Sequence, residues 1–243
     1  MIGNSKEVVR RQIAGYCDLL TTSEIATVDG VIRDPRKVEL FLRSFSRHIA
    51  TSVTKTTILE DMRHSDENIH IGSLNSYLTA LESLFIIDNL PARSPRLRSK
   101  TTIRVADTWH FVDPAVAAYF LKAGPRDLLL DPNTFGLLFE FLVIRDLRIY
   151  AQALQGHVSH YRDRNGLEAD AIIHLPDGRW AAIEVRLGLS HVDEAASNLL
   201  ALKDKIDIDH MHEPSFLMVV TATEYAYRRK DGVYVVPLGC LRP

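Results

Sequence analysis

Apolar residues recur through the first half of the chain at intervals of three and four. In "DPRKVELFLRSFSRHIA", Val38, Phe41, Leu42, Phe45 and Ile49 keep the helical period, and Asp34-Pro35 offers a cap with proline at the first helical position. A helix over 7–20 carries Val8, Val9, Ile13, Leu19 and Leu20, and a shorter one falls at about 54–62. A further helix over 71–84 sets Leu74, Leu78, Leu81 and Phe85 on one side, with Ser73, Ser76, Thr79 and Ser83 outward. Two strand patterns follow, "LFIIDNL" and "WHFVD", separated by the basic, turn-rich "PARSPRLRSKTTIR". Three helices and a two-stranded ribbon describe a winged helix-turn-helix over 31–122, preceded by a helical segment at 1–30.

After a linker near 122–132, the pattern changes. A helix is predicted over 133–152, strands at 157–163, 167–175 and 179–187, a helix at 191–205, and strands at 215–222 and 232–238. Helix, three strands, helix and strand make an α/β layer domain over 131–243. The amphipathic helix "HVDEAASNLLALKDKI" turns Val192, Ala195, Ala196, Leu199 and Leu202 to the sheet.

Within this domain "EADAIIHLPDGRWAAIEVR" reads as a hairpin turning at Pro176-Asp177-Gly178. A turn centred on Asp177 sets Asp170 opposite Glu184 and Glu168 opposite Arg186, with opposed side chains about 5 Å apart at Cβ. The odd positions, such as Ala169, Ala171, Ile183 and Val185, form a buried face, and the polar even positions gather on the other. Glu140 lies in the apolar stripe of its helix with Leu137, Val143, Ile144 and Leu147, where a carboxylate needs a partner, a proton or a cation. Gly136, one turn earlier, leaves room for another backbone. Two readings of the hairpin acids follow. In one, Asp170 and Glu184 hold a hard divalent ion, Arg186 stabilises charge and Glu140 supports. In the other, Glu168 pairs with Arg186 while Asp170 and Glu184 are solvated at a sheet edge.

A formal net charge of −2 provides no global basic field, so contact with DNA must use a local patch. Arg93, Arg96, Arg98, Lys100 and Arg104, clustered in the ribbon, are the candidates for phosphate contact. Cys17 and Cys240 read as inert thiols in a reducing compartment. The start "MIGNSKEVVRRQ" is no signal peptide, and no apolar run reaches the ~18 residues of a membrane span. A cytoplasmic protein is expected. His210 and His212, like His157 and His160, lack the further ligands of a zinc site.

The pattern Glu140, Asp170, Glu184-Val185-Arg186 resembles the PD-(D/E)xK nuclease superfamily, which sets a helix glutamate, a strand aspartate and a Glu-x-Lys around Mg2+. "SLNSYLTALESLFIIDNLPARSPRLRSK", "HFVDPAVAAYFL" and "YRDRNGLEADAIIHLPDGRWAAIEVRLG" resemble the C-terminal region of prokaryotic AAA-type ATPases, over roughly residues 7 to 240. In that family an ATPase domain precedes a winged helix and a nuclease-like domain of unknown function. The resemblance implies an α/β fold of αβββαβ order and Mg2+-dependent hydrolysis of DNA phosphodiesters, with Asp170 and Glu184 on the metal. The alternative is a DNA-binding or protein-interaction module that has lost the chemistry. Two departures count. No G-x-x-x-x-G-K-[ST] occurs, so the chain, a fragment or a gene without its ATPase half, has no ATP site and an ATPase domain would be supplied separately. The family's lysine is Arg186 here, which stays charged and cannot act as a base.

Overall fold

The computed structural model describes residues 5–25, 28–48, 54–66, 68–91, 108–163, 166–205 and 212–242. The chain is mixed α/β, with eight α-helices and sheets of two and six strands among these residues. It divides into two units, Met1–Asn89 with Thr108–Pro132 and Leu90–Asp107 with Asn133–Pro243.

In the first unit α1 (Lys6–Leu19) runs into a π-helical turn (Leu20–Glu24). Then come α2 (Pro35–Arg47), α3 (Lys55–Arg63) and α4 (Ile71–Ser83), the paired strands β1 (Ile87–Leu90) and β2 (Thr108–Phe111), α5 (Pro114–Phe120) and α6 (Pro125–Leu130). Asp34 caps α2 by accepting the Arg36 amide at 2.9 Å. Its buried stripe of Val38, Phe41, Leu42 and Phe45 builds an aromatic core, with Phe41 5.6 Å from Tyr77 and Phe45 edge-on to Phe111 at 5.0 Å. Ile49 lies outside the described residues. Arg33 is clasped at 2.7 Å by both Asp29 Oδ1 and the Ile25 carbonyl, and its Nη2 donates to Ser76 Oγ at 2.8 Å. Ser76 therefore points into this clasp rather than outward.

Two further expectations change here. Phe85 lies beyond the end of α4 at φ 57° and is 81% exposed, so it does not extend the Leu74–Leu78–Leu81 stripe. The stretch 122–132 is no plain linker, for it contains α6. Neither α5 nor α6 was foreseen, although Asp113-Pro114 repeats the Asp-Pro start of α2 and Asp113 accepts the Ala115 amide at 2.8 Å.

The second unit follows the order α7 (Pro132–Ala153), β3 (His157–Arg162), β4 (Glu168–His174), β5 (Trp180–Arg186), α8 (Val192–Lys205), β6 (Phe216–Thr221), β7 (Tyr227–Arg228) and β8 (Tyr234–Pro237). Across the sheet the strands lie β3-β4-β5-β6-β8-β7. The β3–β4, β4–β5 and β7–β8 pairs are antiparallel; β5–β6 and β6–β8 are parallel. Each face carries a helix. Phe139, Val143, Ile144 and Leu147 of α7 pack with Ala171, Ile183, Val185, Met218 and Val220. Val192, Ala195, Ala196, Leu199 and Leu202 of α8 pack with Ile172, Trp180, Ala182, Val219 and Val235. The even face of the hairpin is thus a second buried face. Ile172, Trp180 and Ala182, which lie among the polar residues of that face, are buried there.

Among the described residues nothing comes within 4 Å of a Cβ built at Gly136, so that glycine admits no neighbouring backbone. At Gly156, between α7 and β3, a Cβ would meet the His174 carbonyl at 3.0 Å and Leu175 Cδ2 at 2.7 Å. Gly136→Ala should therefore raise stability by about 0.5–1 kcal/mol, because it removes a flexible residue from a helix interior. Gly156→Ala should lower it by roughly 1–3 kcal/mol through overpacking. Urea unfolding of both variants measures the opposite signs.

Candidate functional site

The Asp177-centred turn sets the site. Gly178 adopts φ 88°, and β4 pairs with β5 as His174↔Trp180, Ile173↔Ala181, Ile172↔Ala182 and Ala171↔Ile183, the register predicted from the sequence. One step further, Asp170 stands across from Glu184. There the side chain replaces the ladder, and Asp170 Oδ2 accepts the Val185 amide at 2.7 Å.

A bulge in β4 aims this carboxylate. Ser159 pairs with Ile172 but Tyr161 with Ala169, so His160 alone faces both Asp170 and Ala171. The extra residue flips the alternation, and Ala169 joins the α8 core although Ala171 belongs to the α7 core. Backbone amides of a strand lie in the plane of its sheet, so a carboxylate bound to one lies near that plane. Glu184 shares the side of Ala182, beneath α8, while Glu140 approaches from α7. The three acids meet from two faces and the plane between them, rather than on one polar surface.

Arg186 joins them. Its Nη1 donates to Asp170 Oδ2 at 3.2 Å and to the Val185 carbonyl at 2.6 Å, and its Nη2 lies 2.5 Å from Glu184 Oε2. That last contact is an ion pair without hydrogen-bond geometry, so neither carboxyl oxygen of Glu184 has a hydrogen bond. The Glu184 side chain is 0% exposed and that of Asp170 14%. Solvated acids at a sheet edge are therefore excluded, since β5 is an interior strand. The expected Glu168–Arg186 pair is also replaced. Glu168 faces Arg162 across β3–β4 at 3.6 Å, and Arg186 turns to the two acids that are less exposed than Glu168.

Ionisation follows from this crowding. Burial, then Asp170, pushes the Glu140 carboxyl well above its ordinary value, while Arg186 pulls it back. Burial, then Asp170, pushes Glu184 up to about 9. Burial raises Asp170 as well, against the downward pull of Arg186 and the Val185 amide. Burial alone would weaken the Arg186 charge, but Glu184, Asp170 and Glu140 hold its proton more tightly. The same crowding that raises all three acids keeps the guanidinium charged.

Carboxylate oxygens are the donors Mg2+ prefers. Their arrangement suits another cation, for the guanidinium nitrogens lie against both hairpin acids. Among the described residues no three His, Cys, Asp or Glu side chains are grouped to hold a metal ion. As folded, the residues fit a guanidinium and do not fit a divalent ion.

All four predicted site residues come together. Arg93, Arg96, Arg98, Lys100 and Arg104 lie outside the described residues, as does His210. His160 is buried on β3 rather than exposed. Burial, with Asp18 and Asp113, pushes the Cys17 thiol up to about 12, which suits an inert thiol. Thr221 was missed: it pairs in register with Arg186, is fully buried, and its Oγ1 lies 2.7 Å from Thr223 Oγ1. Its only sequence signal is a polar residue ending the run "FLMVVT". No described helix is long and apolar enough to cross a membrane.

The family described as Domain of unknown function (DUF4143) matches residues 135–241. No curated protein and no solved structure matches the chain. A second family, Domain of unknown function (DUF8612), matches residues 3–127, just over half of the sequence, and it is to this family that the chain belongs.

Proposed function

We propose that the second unit is a DNA-binding module of PD-(D/E)xK type in which Arg186 supplies the cation that a metal supplies in a nuclease. One observation carries this reading: the Arg186 guanidinium spans Asp170 and Glu184 at 3.2 and 2.5 Å. A guanidinium neutralises the acids and leaves the fold intact, but it opens no position for a metal-bound water. The first unit acts as a winged helix, with α2, α3 and α4 before the β1–β2 pair, and the basic stretch from Arg93 to Arg104, which lies between those two strands in sequence, takes duplex DNA. An AAA-type ATPase is the partner, which the common association of DUF4143 with such ATPases supports.

A second reading, Mg2+-dependent hydrolysis of DNA phosphodiesters, has one observation in its favour. Glu184 Oε1, the oxygen away from the Arg186 contact, has no hydrogen bond in a buried setting, as an oxygen awaiting a cation would.

Incubation of the protein with single- and double-stranded DNA and Mg2+ or Mn2+ separates the two. The expected result is salt-sensitive binding with no cleavage, by the parent and by an Asp170→Ala, Glu184→Ala double variant alike. Cleavage by the parent alone would replace the binding module with the nuclease.

A pH series tests the protonated cluster. Folded Glu184 holds its proton to about 9, whereas its ordinary value is 4.5, so between those values the folded form binds more protons than the unfolded one. Its contribution to stability is complete below 4.5 and is lost as pH rises toward 9. The stability gained by Glu184→Gln over the parent should therefore grow with pH, reaching on the order of 1–3 kcal/mol by neutrality. Denaturant unfolding of both proteins at several pH values measures it, and a constant difference would refute the buried proton.

A further inference from the structure

We propose that the β7–β8 ribbon at the edge of the second unit's sheet is a stacking platform for single-stranded DNA. The inference rests on the DNA-binding reading and extends it to a surface away from the acid cluster.

The segment "EYAYRRKDGVY" presents Tyr225, Tyr227 and Tyr234 at 76%, 44% and 39% exposure. None of the three belongs to either core cluster of this unit. Two exposed basic side chains, Arg228 and Lys230, accompany them, beside the exposed Glu224 and the Asp193 and Asp231 carboxylates that flank Arg229. Arg229 is excluded from this role, since Asp193 and Asp231 hold its guanidinium. Arg228 lies over the Tyr234 ring, 5.4 Å from its centroid, so a cation and an aromatic face already share one side of the ribbon. Tyr227 is on the other side, for it pairs with Val235 while Arg228 pairs with Tyr234.

Exposed aromatic rings beside exposed positive charges match a polymer of flat bases on an anionic backbone. Unpaired bases stack on such rings in a manner indifferent to sequence, and arginine adds to both terms. A duplex hides its base faces and cannot use the tyrosines. A protein partner is less suited, because the ribbon lacks an aliphatic centre around which an interface could dry.

The register ties this edge to the acid cluster. Glu184 pairs with Val219, Val219 with Val235, and Val235 with Tyr227. Tyr227 thus ends a row that begins at Glu184 and crosses three strand spacings, about 14 Å. β5, β6 and β8 run parallel, and chains on such sheets bind ligands beyond the carboxyl ends of the strands. Arg186 and Thr221 lie at those ends, and Tyr225 lies in the segment that follows Thr221. A strand seated on Tyr225 and Tyr227 can therefore continue toward Arg186.

The test measures fluorescence anisotropy of labelled oligothymidylate with the full chain in the presence of a chelator, so that binding is read without cleavage. Tyr225→Ala and Tyr227→Ala should each weaken binding roughly tenfold, and Tyr227→Phe should bind as the parent does. Arg228→Gln should weaken binding and reduce the slope of log affinity against log salt by about 0.7. Affinity for duplex DNA of equal length should not change in the tyrosine variants. All these side chains are exposed, and a matching thermal melt confirms that each variant folds. The platform is overturned if the parent does not bind oligothymidylate, or if the alanine variants bind it equally well. Duplex binding without single-strand binding would remove the platform and leave the reading above in place. Tyrosine-dependent binding together with Mg2+-dependent cleavage would keep the platform and replace that reading.

Discussion

The Arg186 guanidinium is the one full positive charge among three carboxyl groups, two of them carried by strands in the interior of a six-stranded sheet. An isolated carboxylate so placed would be driven to neutrality or would disrupt the packing. With the guanidinium present, Asp170 keeps a charged partner and a backbone amide, and Glu184 keeps a close contact with the same guanidinium. The surrounding apolar layers can then close: α7 over Ala171, Ile183 and Val185, and α8 over Ile172, Trp180 and Ala182. The charge cluster and the two cores are one construction, since each acid occupies a position where a small or apolar residue would otherwise complete the layer.

This arrangement makes the acids part of the packing of the sheet. Breaking a buried pair leaves an uncompensated charge and costs about 3–5 kcal/mol, whereas keeping the pair requires only the right partner. Arginine meets that requirement with a planar fork able to reach two acids at once, which an ammonium does less well. Acids held in this way are accounted for by packing and charge pairing, and are by themselves no evidence of turnover.

Much of this was legible in the sequence, for local reasons. Pro176-Asp177-Gly178 dictates a turn, and the turn dictates that Asp170 meets Glu184, as the observed rungs up to Ala171↔Ile183 bear out. Asp34-Pro35 announced α2, and the same pair at Asp113-Pro114 announced α5 but was passed over. Three things were not legible. The β4 bulge depends on how β3 pairs, which no local pattern encodes. The second buried face was written in Ile172, Ala182 and Trp180, yet period-two reasoning assigns one polar face by default. The partner of Arg186 depended on burial: Glu168 is the simpler choice on a flat ladder, but it stays within reach of water and of Arg162.

The order in which the sheet is strung along the chain has a kinetic side. β3, β4 and β5 join through short turns, so their pairing brings together residues near in sequence, and α7 directly precedes them. β6, by contrast, must return from beyond α8 to lie parallel against β5, matching Phe216 to Ala181. Contacts between distant parts of a chain carry a larger loop-closure penalty and form more slowly. Glu184 is enclosed by this long-range closure, for its rung is Val219 of β6 and α8 packs over Ala182 on its side of the sheet.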